Sequence, residues 1–125
     1  MKKRTAAVLG ACALLLTACG GTKIPKNEKM QKKMESKDYT VKITDDESLG
    51  SVFTAKKDDD FLYVYRLKSA QDTKSFYEMF ESGSTQYDRL YQFQDDSKLG
   101  NVVICATETA FADSGIKIEE KAPQQ

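Results

Sequence analysis

Phe61-Leu62-Tyr63-Val64-Tyr65-Arg66-Leu67 is the stretch that decides the fold. It is aromatic and β-branched almost throughout, a composition that favours a β-strand. Side chains alternate between the two faces of a strand. One face therefore carries Phe61, Tyr63, Tyr65 and Leu67, and the other carries Leu62 and Val64.

Three elements are predicted before this strand. Ser51–Lys56 reads as a strand, and the polar turn that follows it predicts a hairpin with residues 61–67. Tyr39–Ile43 alternates apolar and polar residues, as a half-buried strand does. Asn27–Lys37 predicts a helix with Met30 and Met34 one turn apart. Its apolar stripe is thin, so it either packs at the edge of the core or stands as a charged stalk.

The chain after residue 67 alternates helices and strands. Residues 87–94 fit a strand or a helix, and their aromatic and glutamine content favours the strand. The other predicted elements are a helix at Ser69–Ser82 capped by Ser69, a strand at Asn101–Ala106 buried on both faces, a short helix at Thr107–Ser114 ended by Gly115, and an edge strand at Ile116–Glu120.

The element order α-β-β-β-α-β-β-α predicts an α+β fold. We expect one small antiparallel or mixed β-sheet, with one or two helices packed on one face and an N-terminal helix. The sequence shows no internal repeat and no long low-complexity tract.

The N-terminus has the pattern of an export signal. Lys2, Lys3 and Arg4 are followed by an apolar run over residues 5–16, which ends at Leu16-Thr17-Ala18-Cys19. The run has the length of a signal-peptide core and is too short to span a membrane. A second match to the same pattern ends at Cys12, but it would leave only four residues of apolar core.

Residues 1–21 resemble the signal peptides of bacterial lipoproteins. The resemblance implies a thioether-linked diacylglycerol on Cys19, cleavage before it, and a protein exported and lipid-anchored to the outer face of the cell membrane. It divides the chain into a removed signal peptide (1–18), an anchor and short tether (19–26), a single α+β domain (27–121) and a polar tail (122–125).

Composition restricts the chemistry of the remaining chain. Removing residues 1–18 leaves 16 basic and 19 acidic side chains, a net charge of about −3, with the signs interspersed. No basic stripe indicates nucleic acid as a partner. Histidine is absent from the chain, which excludes Ser-His and Cys-His nucleophile pairs and histidine bases. No cofactor and no metal site is expected.

Three sets of residues are candidate sites. Cys105 is the one cysteine besides Cys12 and Cys19; its apolar neighbours favour a core residue over a reactive thiol. The acidic clusters at 45–47, 58–60 and 95–96 fall at predicted turns, and none has a calcium-loop register. Tyrosines could form a partner surface, and the candidates are Tyr63, Tyr65 and Tyr91.

The sequence thus favours a non-enzymatic binding or accessory module at the cell envelope. Its expected partners are membrane lipid, through the anchor, and an envelope protein or wall component. A small enzyme with a carboxylate, Tyr or Lys site, and a single-domain solute-binding lipoprotein, stay open as alternatives.

Overall fold

The structure, a computed structural model, describes residues 22–119. Three helices and five strands lie in this part of the chain. They are α1 (Asn27–Glu35), β1 (Thr40–Asp46), β2 (Gly50–Lys57), β3 (Asp60–Leu67), α2 (Ala70–Ser82), β4 (Arg89–Asp96), β5 (Gly100–Ala106) and α3 (Glu108–Ser114). The element order and the α+β class are those predicted, and residues 87–94 contribute to a strand.

The five strands form one antiparallel sheet in the order β1-β2-β3-β5-β4. The aromatic strand β3 lies in the middle of the sheet. Its Val64 is paired in register with Phe53 of β2 on one side and with Ile104 of β5 on the other. The predicted hairpin of β2 and β3 is present, with Lys57 opposite Asp60.

Helices cover both faces of the sheet, whereas the sequence analysis expected them on one. On the first face, α2 packs Phe76 and Phe80 against Tyr65 and Tyr63, with ring centroids 4.7 and 5.9 Å apart. On the second face lie α1 and α3, whose Phe111 ring is 5.8 Å from that of Tyr91.

Apolar side chains on both faces of the central strands explain this division. Val103 and Cys105 of β5 are buried under α2, while the intervening Ile104 is buried on the opposite face. A strand that is apolar on both sides must be covered on both sides, because uncovered apolar area costs about 25 cal/mol per Å².

The two outer hairpins share a turn sequence, which corrects the expectation that the chain has no internal repeat. Asp-Asp-Glu-Ser-Leu-Gly at 45–50 joins β1 to β2, and Asp-Asp-Ser-Lys-Leu-Gly at 95–100 joins β4 to β5. Each hairpin follows a helix, and the two α-β-β units flank β3 with their helices on opposite faces. A two-fold rotation about the axis of β3 would exchange the two α-β-β units and place their helices on opposite faces of the sheet.

Local signals place the ends of two helices as predicted. The Ser69 hydroxyl accepts a hydrogen bond from the Asp72 N–H at 3.1 Å, which caps the start of α2. Gly115 follows α3 with φ 87°, a left-handed conformation that favours glycine.

The predicted edge strand at 116–120 is wrong for its described residues. No residue of 116–119 belongs to the five-stranded sheet. Lys117 instead forms an isolated antiparallel bridge with Lys23, with N–H to oxygen distances of 2.7 and 2.9 Å. The cause of the false signal is the shortness of the pattern: Ile116 and Ile118 alternate with polar residues over too few positions to distinguish a strand from a single bridge.

The described chain divides into two compact units. The larger, Pro25–Gly115, holds all eight elements. The smaller includes described residues 22–24 and 116–119, where the Thr22 hydroxyl also accepts a hydrogen bond from the Glu119 N–H at 2.9 Å.

Candidate functional site

The three tyrosines proposed as a partner surface do not lie together. Tyr63 and Tyr65 are half-buried beneath α2, where their rings contact Phe80 and Phe76. Tyr91 lies on the opposite face, because it pairs with Ile104 whereas Tyr63 pairs with the next residue, Cys105. These rings serve mainly to pack helices onto the sheet.

Tyr91 takes part in a polar cluster at the start of α3. Its hydroxyl accepts a hydrogen bond from Nη1 of Arg89 at 2.7 Å. The same guanidinium binds both carboxylate oxygens of Glu108, at 3.0 and 3.2 Å, and stacks 4.6 Å from the Phe111 ring centre. The cluster joins β4 to α3, so its evident role is structural.

Cys105 is a core residue in the structure. Its side chain is fully buried between the sheet and α2. Burial raises the pKa of the thiol to about 12. The thiolate is the nucleophilic form of cysteine, so the buried group is almost entirely in its unreactive form near neutral pH.

In two of the three acidic clusters, 45–47 and 95–96, a carboxylate accepts hydrogen bonds within its own turn. Asp46 Oδ1 accepts hydrogen bonds from the N–H groups of Ser48 and Leu49 and from the Ser48 hydroxyl. Asp96 Oδ1 accepts from the N–H groups of Lys98 and Leu99. Such bonds favour local turn formation. Within residues 22–119, no group of three or more His, Cys, Asp or Glu side chains is placed to bind a metal ion.

The outer side of α1 carries a charged surface that the sequence analysis did not single out. We call it the lysine face. All four of its side chains are exposed; they are Lys26, which directly precedes the helix, and Lys29, Lys32 and Lys33 within it. Lysines at spacings of three and four residues lie side by side on a helix.

Two fully buried methionines determine which way this helix faces. Met30 and Met34 are one turn apart and point into the core. Since one side of α1 is fixed by these contacts, the lysines are held on the solvent side. The methionine stripe is as predicted from the sequence, and the helix packs on the sheet rather than standing free as a stalk.

A hydrogen-bond network fastens the beginning of α1 to the sheet. Arg66 of β3 donates from Nε to Asn27 Oδ1 at 3.1 Å and from Nη2 to the Pro25 carbonyl at 2.5 Å. Asn27 in turn donates to the Ser51 hydroxyl at 2.8 Å. Burial lowers the pKa of Arg66, so these acceptors compensate a charge that has lost part of its water.

No carboxylate among residues 22–119 forms an ion pair with a side chain of the lysine face. The ion pairs found among residues 22–119 are Lys37 with Asp113 and Arg89 with Glu108. Glu28 borders the lysine face, and with Lys26, Lys29 and Lys32 it lines a shallow open depression. The signal was present in the sequence as a high density of lysines in residues 26–37, but the orientation of the helix was needed to locate the surface.

Comparisons with protein-family models, curated proteins and solved structures found no match for this chain. Among residues 22–119, no helix is long and apolar enough to cross a membrane. The proposed lipid site, Cys19, lies outside the described residues.

Proposed function

We propose that this chain is an exported bacterial lipoprotein, anchored through Cys19 to the outer face of the cell membrane. The observation that carries the proposal is Leu16-Thr17-Ala18-Cys19 at the end of a basic and then apolar leader. A diacylglycerol supplies two acyl chains, and two chains hold a protein stably where one does not.

We further propose that the domain is a non-enzymatic binding or accessory module at the envelope. Seven residues, 20–26, lie between Cys19 and the first residue of α1, Asn27, so eight residue-to-residue steps join the two. That length spans at most about 28 Å. A domain tethered so closely meets other membrane components at high effective concentration, so weak contacts suffice for binding.

Cross-linking of the full-length lipidated protein in its native membrane tests the accessory role. Cys19→Ala is the unanchored variant, and Cys12→Ala is the matched control because it alters the other leader cysteine. A discrete partner recovered with wild type and Cys12→Ala, but lost with Cys19→Ala, is the expected result. Recovery of no envelope component with any of the three would contradict the accessory role.

A further inference from the structure

We infer that the lysine face of α1 rests on the anionic phospholipid surface of the membrane that carries the anchor. The domain would then lie on its α1 side instead of standing on one end of the sheet. This inference rests on the proposed function, because the lipid at Cys19 is what brings α1 to the bilayer.

Charge density is the first argument. Residues 26–37 contain five lysines and two glutamates, whereas the whole chain has equal numbers of acidic and basic residues. The four lysines of the lysine face are exposed. None of them pairs with a carboxylate in the described part of the chain. Their charges are therefore available to an anionic surface.

Fixed orientation is the second argument. Met30 and Met34 are buried on the inner side of α1, and Arg66 bonds both Pro25 and Asn27 at its start. The backbone that carries these lysines is thus held in one orientation, while their flexible stems let each ammonium reach a headgroup. A helix that rotated freely would not present them as one surface.

Proximity to the anchor is the third argument. The lysine face begins seven residues after Cys19. Electrostatic attraction to a charged surface extends over roughly 8 Å at physiological ionic strength. Each lysine near an anionic bilayer strengthens binding about fivefold. The tether is therefore short enough to keep α1 next to the bilayer and allows it to approach within the range of these attractions.

The position of the acidic turns favours the α1 side over either end of the sheet. Turns 46–50 and 96–100 lie at one end, since Gly50 and Asn101 both pair with Leu67. The turn between Lys57 and Asp60 lies at the other end. Each end therefore presents aspartates, which an anionic surface repels.

Amine labelling of the lipidated protein tests this orientation. The protein is placed on vesicles of phosphatidylcholine, either pure or containing phosphatidylglycerol, and treated with a membrane-impermeant amine reagent. We expect Lys29, Lys32 and Lys33 to react several-fold more slowly when phosphatidylglycerol is present, and high salt should abolish the protection. Equal labelling on both kinds of vesicle would overturn the inference.

Matched triple variants separate a located surface from net charge. One variant changes Lys29, Lys32 and Lys33 to Gln. The control changes Lys42, Lys74 and Lys98 to Gln; these are exposed side chains on β1, on α2 and in the β4–β5 turn. Both variants lose three positive charges.

The ratio of binding to the two kinds of vesicle is then measured in a Cys19→Ala background. In the α1 variant this ratio should fall on the order of a hundredfold, because each lysine contributes about fivefold. In the control variant it should fall less than about tenfold. Equal losses, or binding of soluble polyphosphate in preference to vesicles, would overturn the inference. If the proposed anchor were absent, the wild-type protein would dissociate from vesicles of pure phosphatidylcholine. This result is distinct from the outcomes that test the lysine face.

Discussion

Arg66 in the central strand donates a hydrogen bond from Nε to Oδ1 of Asn27, the first residue of α1, at 3.1 Å. This bond connects the middle of the sheet to the helix that carries the lysine face. The side chain of Arg66 is half-buried and its pKa is lowered by desolvation. Its acceptors therefore contribute to both the stability and the direction of α1.

The first prediction is that Arg66 and Asn27 are energetically coupled. Asn27→Ala should reduce the free energy of unfolding by about 1 kcal/mol, because it removes an acceptor from a partly buried charge. In Arg66→Ala the same change should cost less, giving a coupling of at least about 0.5 kcal/mol. Urea unfolding of wild type, both single variants and the double variant measures this. Strictly additive losses would contradict the coupling.

The second prediction compares Gly50 with Gly100, which end equivalent turns. Both have positive φ, 127° and 76°. A Cβ at Gly50 would overlap the Arg66 carbonyl oxygen, whereas a Cβ at Gly100 would meet nothing within 4 Å. Gly50→Ala should therefore cost about 3 kcal/mol or more, and Gly100→Ala about 1 kcal/mol from the left-handed backbone alone. If urea unfolding gave similar losses in the free energy of unfolding for the two variants, the protein would relieve the overlap at position 50 at little energetic cost.

The third prediction concerns stability in acid. Hydrogen bonds from Ser48 and Leu49 lower the pKa of Asp46 in the folded protein, and those from Leu99 and Lys98 lower that of Asp96. The unfolded groups titrate near the ordinary value of 3.8. The stability that these two carboxylates contribute is therefore fully present above pH 3.8. It is lost as the pH falls through their lower pKa values in the folded protein.

The Asp46→Asn/Asp96→Asn variant should consequently lose less stability than wild type when the pH falls below about 4. Thermal unfolding over a pH series measures the slope. Asp59→Asn serves as the control, since its exposed carboxylate accepts no hydrogen bond among residues 22–119. An unchanged slope in the double variant would show that these turn carboxylates do not determine the acid response.

The fourth prediction concerns Cys105. Its buried thiol, with a pKa raised to about 12, should resist iodoacetamide in the folded protein at pH 8 and react fully in denaturant. Mass spectrometry of the peptide containing residue 105 gives the modified fraction. Rapid modification without denaturant would mean that the thiol is reachable and would reopen a reactive role.

Much of the fold could be predicted because its signals are local. Alternation around Tyr63 and Val64 identified the central strand, and Ser69 identified the start of α2. The division of helices between the two faces depends on contacts between distant residues, such as Phe80 with Tyr63 and Phe111 with Tyr91. Periodicity within one segment carries no information about such contacts.

The candidate surface was less predictable from the sequence. An aromatic residue such as Tyr65 looks the same in the sequence whether its ring contacts a partner or a helix of its own chain. In the structure, α2 covers this ring. The exposed lysines of α1 became a defined surface only when the burial of Met30 and Met34 oriented the helix. The sequence shows which segment is charged, whereas the packing of that segment determines on which surface of the domain the charges lie.

The fifth prediction, and the most direct test of the central claim, is the mass of the N-terminal peptide from membrane-extracted protein. We predict a chain that begins at Cys19 and carries a thioether-linked diacylglycerol, lost in Cys19→Ala and retained in Cys12→Ala. An N-terminus at another residue, or an unmodified Cys19 thiol in the processed protein, would contradict the anchor and with it the proposed location.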